Sequence, residues 1–170
     1  KGLNYFLTEV AIGPKGHLKA VAEIIKPDIA IVTMVGIEHY SWYRSREAVA
    51  AAKGYLVESI NSGGVAILNA DDDQVMSMAS RTNQRIVTFG RTKEADYRVI
   101  ATNIVHPEGL KVDIEWNTGS ASLQTRFIGE QFWLSTVAAF VAAKELEIPL
   151  DVIKEQMESF SGVRGRCELF

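Results

Sequence analysis

The sequence has little cysteine, no long apolar run and no excess of charge of either sign, and each shortage excludes a class of protein. Cys167 is the only cysteine among 170 residues, so neither an internal disulfide nor a cysteine-based metal site can form within the chain. This usage favours a cytoplasmic protein. No apolar run approaches the roughly 20 residues of a membrane-spanning helix, and we see no signal peptide. The chain lacks an initial Met and ends without a tail, so we expect a piece of a longer protein.

The overall composition is that of an ordinary globular domain. Hydrophobic residues make up 47% of the chain and charged residues 23%, and the formal net charge is −3. Because there is no surplus of positive charge, we expect neither nucleic acid nor a membrane surface as a partner. A chain of this length is long enough for one domain with a substantial core.

Strand and helix patterns alternate over residues 1–90. Residues 28–36 and 65–69 are almost continuously apolar, which is typical of parallel strands buried on both faces. Ser45 is a suitable N-cap for the helix that follows it. The pattern predicts strands at residues 3–10, 28–36, 65–69 and 85–90, and helices at 17–26, 45–60 and 71–81. We therefore predict a doubly wound α/β fold, in which helices flank a mostly parallel, Rossmann-like sheet.

The period changes over residues 96–128. Val112, Ile114 and Trp116 alternate with charged side chains, as in a half-exposed antiparallel strand. We predict an added antiparallel β segment over these residues, then helices at 132–147 and 150–160, and a loop leading to a strand at the end of the chain. Residues 1–170 form a single domain in this interpretation.

Polar residues follow three of the predicted parallel strands. Glu9 ends the first, His39 follows the second, and Asn69 ends the third within the stretch "NADDD". Ligands of open parallel sheets gather beyond the carboxyl ends of the strands. Glu and His can both bind divalent metals, although Mg²⁺ prefers oxygen. Each residue also has a plain structural interpretation: a solvated Glu, a turn with a helix N-cap in "NADDD", and for Lys53 a surface lysine.

The order of short motifs is more specific than any one of them. The chain contains "TEVAIGPKGHL", "IIKPDIAIVTMVGIEH", "SREAVAAAKG", "GGVAILNADDDQV", "VTFG", "EADYRV" and "GVRGRCE" in sequence. This series resembles the central ATPase domain of the Mur ligase family over essentially the whole chain. It is most similar to the subgroup that adds D-alanyl-D-alanine to UDP-muramoyl tripeptide.

The resemblance implies roles for five residues. Glu9 and His39 would coordinate Mg²⁺, and Lys53 would be carbamylated by carbon dioxide, which gives it an anionic oxygen ligand for a second Mg²⁺. Asn69 would contact the adenine of ATP, and Arg166 would reach its phosphates, for which a permanently charged planar donor is suited. Arg164 fits the family pattern less well.

The text "GEQFWLS" departs from the family pattern G-x-H-N-x-x-N. Gln131, Phe132 and Ser135 stand where the family has His, Asn and Asn. Ser135 therefore takes the place of an asparagine in the nucleotide site, and serine lacks the amide group. The departure favours a divergent member, either with another substrate or without activity.

The implied reaction is ATP-dependent amide or peptide bond synthesis through an acyl phosphate, between a UDP-muramoyl peptide and an amino acid or dipeptide. The chain contains no G-x-x-x-x-G-K-[ST] phosphate loop, which in the family precedes the predicted first strand. The family's N-terminal substrate-binding and C-terminal ligase domains are not in it either. We expect a middle ATP-binding domain that is inactive by itself.

Three alternatives stay open. Another ligase of the superfamily, of the folylpolyglutamate or poly-amino-acid type, would share these motifs. A non-catalytic Mur-like binding module would explain the "GEQFWLS" departure. An unrelated α/β nucleotide-binding domain is the third.

Overall fold

A computed structural model describes residues 5–37 and 40–160. These residues form a six-stranded mixed sheet with helices on both faces. The helices are α1 (His17–Ile25), α2 (Tyr40–Tyr43), α3 (Arg46–Glu58), α4 (Asp73–Met76), α5 (Trp133–Glu145) and α6 (Leu150–Ser159). The strands are β1 (Ile29–Val32), β2 (Val65–Asn69), β3 (Arg85–Gly90), β4 (Tyr97–Val105), β5 (Gly109–Trp116) and β6 (Gly119–Gln124). Short 3₁₀ helices lie at Ser77–Arg81 and Glu130–Phe132.

The described strands lie side by side in chain order, from β1 to β6. The pairs β1–β2, β2–β3 and β3–β4 are parallel, whereas β4–β5 and β5–β6 are antiparallel. Strand β4 pairs with β3 only at Phe89↔Tyr97 and Gly90↔Arg98, so most of β4 runs on past the carboxyl end of β3. The predicted α/β class is confirmed, and the antiparallel segment continues the parallel sheet.

The two faces of the sheet bury separate hydrophobic cores. On one face α1, α3 and α4 pack against β1 and β2, with Leu18, Val57 and Leu68 in this core. On the other face α5 and α6 pack against the strands, with Ile67 and Phe140 in the core. Burial of one such side chain stabilises the fold by about 1.5–3 kcal/mol. All five residues of β2 are buried because its alternate side chains enter different cores, which explains the unbroken apolar run at 65–69.

The predicted start of α3 is confirmed. Ser45 is extended, and its Oγ accepts a hydrogen bond from the Ala48 backbone N–H at 3.1 Å. Hydrogen bonds from the Glu47 backbone N–H and from the Ser45 hydroxyl lower the pKa of the Glu47 carboxyl. This arrangement satisfies donors that the first turn of a helix otherwise leaves unpaired.

The prediction of a strand at residues 3–10 is wrong for residues 5–10, the part that the structure describes. Residues 5–13 are irregular, and the side chains of Tyr5, Phe6 and Leu7 are 62%, 81% and 91% exposed. A strand persists only where a neighbour takes up its backbone N–H and C=O groups. Among the described strands β1 pairs with β2 alone, so residues 5–10 have no ladder here, whatever their β propensity. Glu9 therefore does not end a strand.

Two further elements are shorter than predicted. The strand expected at 28–36 ends at Val32, and the helix expected at 71–81 divides into α4 and the 3₁₀ helix Ser77–Arg81. In both places side chains take over hydrogen bonds that regular structure would otherwise make. The strand predicted at the chain end lies outside the described residues.

Candidate functional site

Asn69 joins the ends of two parallel strands. It is the last residue of β2 and is 5% exposed. Its Nδ2 donates to the Thr33 carbonyl, just past β1, at 2.8 Å. Its Oδ1 accepts from the Asp71 backbone N–H at 3.0 Å. The side chain predicted to contact adenine thus also holds the carboxyl ends of β1 and β2 together.

Asp71 extends this connection to the third strand. Its two carboxylate oxygens accept from the backbone N–H groups of Arg91, at 2.7 Å, and Thr92, at 2.9 Å. Both donors lie just past β3. A Cβ on Gly90 would lie 2.8 Å from Asp71 Oδ1, so the close approach of this carboxylate requires glycine there. The carboxyl edge of the parallel strands is therefore tied together through the predicted "NADDD" stretch.

Asp72 has two separate tasks. Its Oδ1 accepts from the N–H groups of Gln74 at 2.9 Å and Val75 at 3.2 Å, which caps α4 and confirms the predicted turn with an N-cap. Its Oδ2 accepts from the Val35 N–H at 2.9 Å. The Arg46 guanidinium lies against the same carboxylate, with Nη2 at 3.3 Å from Oδ1. Asp72 thus connects the β2–α4 turn to the segment after β1 and to the start of α3.

The segment Thr33–Val35 is held by side chains instead of a strand ladder. Arg46 Nε donates to the Val35 carbonyl at 3.0 Å, and Lys53 Nζ donates to the Met34 carbonyl at 2.8 Å. Arg46 and Lys53 are seven residues apart on α3, so they lie on the same face two turns from each other. Their side chains lean toward the start of the helix, at the carboxyl edge of the sheet.

The predicted metal ligands are only partly described. His39 and the phosphate-binding candidate Arg166 lie outside the described residues, as does Arg164. Glu9 is exposed in the irregular segment before α1. Within residues 5–37 and 40–160, no group of three or more His, Cys, Asp and Glu side chains is placed to hold a metal ion. The set Glu9, His39 and Lys53 stays a prediction.

The chemistry of Lys53 fits the modification that the resemblance implies. Its Nζ lies at the carboxyl edge of β1, against a backbone carbonyl. A carbamate keeps one N–H on this nitrogen, which can still donate to Met34, and adds two anionic oxygens. Such oxygens are the ligands that Mg²⁺ prefers.

The start of α5 lies at the same edge. Glu130 accepts from Arg91 at 2.7 Å and from the Thr102 hydroxyl at 2.9 Å, and the Arg91 guanidinium lies 5.2 Å from the centre of the Trp133 ring. The hydrogen bond from Arg91 lowers the pKa of the Glu130 carboxyl.

Ser135 is exposed in the first turn of α5, where its hydroxyl donates to the Phe132 carbonyl at 3.1 Å. The structure therefore brings the elements of Ser135, Asn69 and Lys53 to one edge.

Two arginines of this edge are missing from the sequence-based prediction. Arg46 supports Val35 and Asp72, and Arg91 connects β3 to α5. The seven-residue spacing between Arg46 and Lys53 is the one sequence signal for the first of them. Nothing in the sequence pattern indicates Arg91.

A crevice of about 610 Å³ opens at the other end of β3. Its charged residues are largely paired with each other: Arg98 with Glu115 at 3.0 Å, and Arg85 with Glu145. None of the predicted site residues lines this crevice. In the part of the chain that the structure describes, we find no helix with the length and apolarity needed to cross a membrane.

The sequence model of the Mur ligase middle domain matches residues 1–143. The chain belongs to the Mur ligase middle domain family. This agrees with the fold described above and with the order of the motifs.

Individual relatives come from more than one branch of the family. The chain is 29% identical over 149 residues to the UDP-N-acetylmuramoyl-L-alanyl-D-glutamate–2,6-diaminopimelate ligase of Listeria monocytogenes serotype 4b, a match that covers 84% of this chain and 30% of that protein. It is 37% identical over 93 residues to the UDP-N-acetylmuramoyl-tripeptide–D-alanyl-D-alanine ligase of Mycobacterium tuberculosis H37Rv, over 55% of this chain and 18% of that protein. The chain thus matches less than a third of the length of either Mur ligase.

Solved structures share the fold. MurF from Acinetobacter baumannii superposes with a TM-score of 0.80 at 23% identity, over 90% of this chain and 33% of that one. MurF ligase from Thermotoga maritima in complex with ADP gives a TM-score of 0.76 at 19% identity, over 92% of this chain and 35% of that one. At these identities the likeness establishes the architecture of the Mur ligase middle domain alone.

Proposed function

We propose that this chain is the ATP-binding middle domain of a longer ligase that forms an amide or peptide bond in the synthesis of peptidoglycan precursors. The match of residues 1–143 to the middle domain of Mur ligases carries the proposal. The domains that would complete the enzyme are a phosphate-loop segment, an N-terminal substrate domain and a C-terminal ligase domain. On this proposal the 170-residue chain alone has no ligase activity.

The reaction would proceed in two balanced steps. A carboxylate oxygen of the acyl substrate attacks the γ-phosphorus of ATP, the bond to the β-phosphate oxygen breaks, and ADP leaves. The nitrogen of the amine substrate then attacks the carbonyl carbon of the acyl phosphate. The tetrahedral intermediate expels phosphate, and a proton leaves the nitrogen as the amide forms. When bound, Mg²⁺ would neutralise the negative charge on the phosphoryl oxygens.

Residues of this chain would hold the metal and the nucleotide. Glu9, His39 and carbamylated Lys53 are the proposed metal ligands. Asn69, Ser135 and Arg166 are proposed for ATP. One N–H of the Asn69 amide is already used on Thr33, so a contact with adenine would use its second N–H. This role is supported by its place at the carboxyl edge, between the ends of β1 and β3.

We propose the substrate pair of one branch of the Mur ligases, with that of a second branch as the alternative. The order of the motifs favours UDP-muramoyl tripeptide as the acyl substrate and D-alanyl-D-alanine as the amine. A second candidate is the addition of 2,6-diaminopimelate to a UDP-muramoyl dipeptide, because a ligase of that name matches 84% of this chain. The cytoplasm is the proposed location, in keeping with a chain that cannot form an internal disulfide.

The test is phosphate release by the full-length protein with ATP, Mg²⁺ and each substrate pair in turn. We expect release that requires both the acyl and the amine substrate, with one pair strongly preferred. A Lys53→Arg variant keeps a cation but cannot form the same carbamate, and we expect it to lose turnover. If the protein bound no ATP, or if Lys53→Arg were fully active, the proposed ligase site would be wrong.

A further inference from the structure

One peptide group is held from both sides at the carboxyl edge of β1. The last pair of the β1–β2 ladder is Val32↔Leu68, so no strand contact fixes the peptide that joins Met34 to Val35. Its carbonyl accepts from Lys53 Nζ at 2.8 Å, and its N–H donates to Asp72 Oδ2 at 2.9 Å. A peptide group is planar, and its C=O and N–H point in opposite directions. The orientation of the carbonyl that receives Lys53 is therefore coupled to the hydrogen bond with Asp72.

The second oxygen of Asp72 is not needed for helix capping. Oδ1 alone receives the two N–H groups at the start of α4. Oδ2 is directed at Val35, a residue that is 2% exposed and 37 positions away in the chain. The Asp72 side chain is itself 11% exposed, so its hydrogen bonds lie in a largely dry setting where they are stronger than in water.

Arg46 holds the backbone one peptide group further along, at the Val35 carbonyl. It donates to the Val35 carbonyl through Nε and lies against the Asp72 carboxylate through Nη2. Because Arg46 and Lys53 share one face of α3, the helix presents both donors to neighbouring carbonyls, those of Val35 and Met34. Asp72, Arg46 and the intervening peptide thus form a rigid support for the Lys53 amine.

We propose that Asp72 is a positioning residue for Lys53 and acts through the Met34–Val35 peptide. The inference deepens the proposed function, because the Lys53 amine is the group that would become carbamylated. In that step the Nζ lone pair attacks the carbon of CO₂, one proton leaves the nitrogen, and the product keeps a single N–H. With that N–H directed at the Met34 carbonyl, the new carboxylate points away from the peptide, toward the carboxyl edge where the metal ligands are proposed.

The decisive variant is Asp72→Asn in the full-length protein. Asn is a good N-cap, so its Oδ1 can still cap α4, while the amide nitrogen cannot accept from Val35. Asp73→Asn is the matched control, since Asp73 is exposed in the same turn and its carboxylate has no hydrogen-bond partner among the described residues. If Asp72→Asn does not fold, Arg46→Met removes the neighbouring support and leaves the cap intact.

Two readouts separate this inference from the proposed function. The first is the carbamate signal in ¹³C NMR after addition of ¹³C-bicarbonate, assigned to Lys53 by its loss in Lys53→Arg. We expect Asp72→Asn to lower the carbamylated fraction about tenfold relative to Asp73→Asn at equal bicarbonate. The second is the rate at which the protons on Nζ of unmodified Lys53 exchange with water, followed through the ¹⁵Nζ signal. We expect slow exchange in the wild type and in Asp73→Asn, and rapid exchange in Asp72→Asn.

Each outcome has one meaning. A wild type that forms no carbamate contradicts that part of the proposed function, and the ¹⁵Nζ comparison then decides the positioning role alone. If Asp72→Asn matched Asp73→Asn in Lys53 exchange, the positioning role would be overturned, even in an active ligase. A fall in melting temperature with unchanged Lys53 signals would also overturn it, because Asp72 would then serve the fold only.

Discussion

Replacement of Asn69 by alanine tests whether this side chain holds the edge of the sheet together. The change removes the hydrogen bond to the Thr33 carbonyl and the one from the Asp71 N–H. Asn69 is 5% exposed, so water reaches the freed groups poorly. A buried polar group left without its partner costs about 1–3 kcal/mol. For two such groups with partial relaxation, we expect Asn69→Ala to lower the free energy of unfolding by about 2–4 kcal/mol.

The assay is urea unfolding of the 170-residue chain, monitored by circular dichroism at 222 nm. A separate thermal scan gives the melting temperature. A domain of this size loses about 2–4 °C in melting temperature for each kcal/mol, so a loss of about 2–4 kcal/mol corresponds to a fall of about 4–16 °C. Asn103→Ala is the control, because Asn103 is exposed on β4, and we expect it to change stability by less than about 0.5 kcal/mol.

The result separates two roles of Asn69. If this residue serves only to contact adenine, Asn69→Ala weakens ATP binding by the full-length protein and leaves the unfolding curve of the chain unchanged. An unfolding free energy within about 0.5 kcal/mol of the wild type would therefore refute the argument that Asn69 fixes the strand ends.

Three other predictions concern the second core, the start of α3 and the start of α5. Phe140 is fully buried against Tyr97, so Phe140→Ala should lower the urea-unfolding free energy by about 3–5 kcal/mol, and a loss below 1 kcal/mol would contradict the packing. Ser45→Ala removes the N-cap of α3 and should cost about 1 kcal/mol in the same assay; no loss would argue against the cap. Arg91 lowers the pKa of Glu130, so their interaction stabilises the fold above the unfolded pKa of Glu, and this contribution is lost as pH falls through the lowered folded value. In a ¹³C NMR titration Arg91→Ala should raise the Glu130 pKa, and an unchanged titration would contradict the pair.

Local patterns predicted the central strands well. The strands at 65–69 and 85–90 have the predicted bounds, because the apolar side chains of each strand pack into the cores on the two faces of the sheet. The same reasoning is wrong for residues 5–10, since β propensity reports what fits a sheet and not whether a neighbouring strand is present. Position in the sheet decides that, and a short sequence window contains no information about it.

The places of Asn69 and Lys53 in the fold could be predicted from the sequence, whereas the contacts around them could not. The carboxyl-edge rule predicted Glu9, His39 and Asn69 beyond the ends of parallel strands. Asn69 lies at that edge, whereas Glu9 ends no strand and His39 lies outside the described residues. Lys53 was predicted from the family resemblance alone, and its Nζ lies at the same edge.

The second function of Asp72 depends on a partner 37 residues away, and Arg46 acts through backbone carbonyls, which any sequence supplies. Such contacts arise only when the segment after β1, the β2–α4 turn and the start of α3 come together in the folded chain. The predicted roles of His39 and Arg166 stay predictions, because both residues lie outside the described residues.

We propose that this domain serves an ATP-dependent ligase that works through an acyl phosphate. The most direct test is to supply the full-length protein with ATP, the amine and an acyl substrate whose carboxylate carries ¹⁸O. The first step joins a carboxylate oxygen to the γ-phosphorus, so we predict that each released phosphate carries one ¹⁸O atom from the substrate. Unlabelled phosphate, or ¹⁸O that appears in AMP instead, would contradict the account.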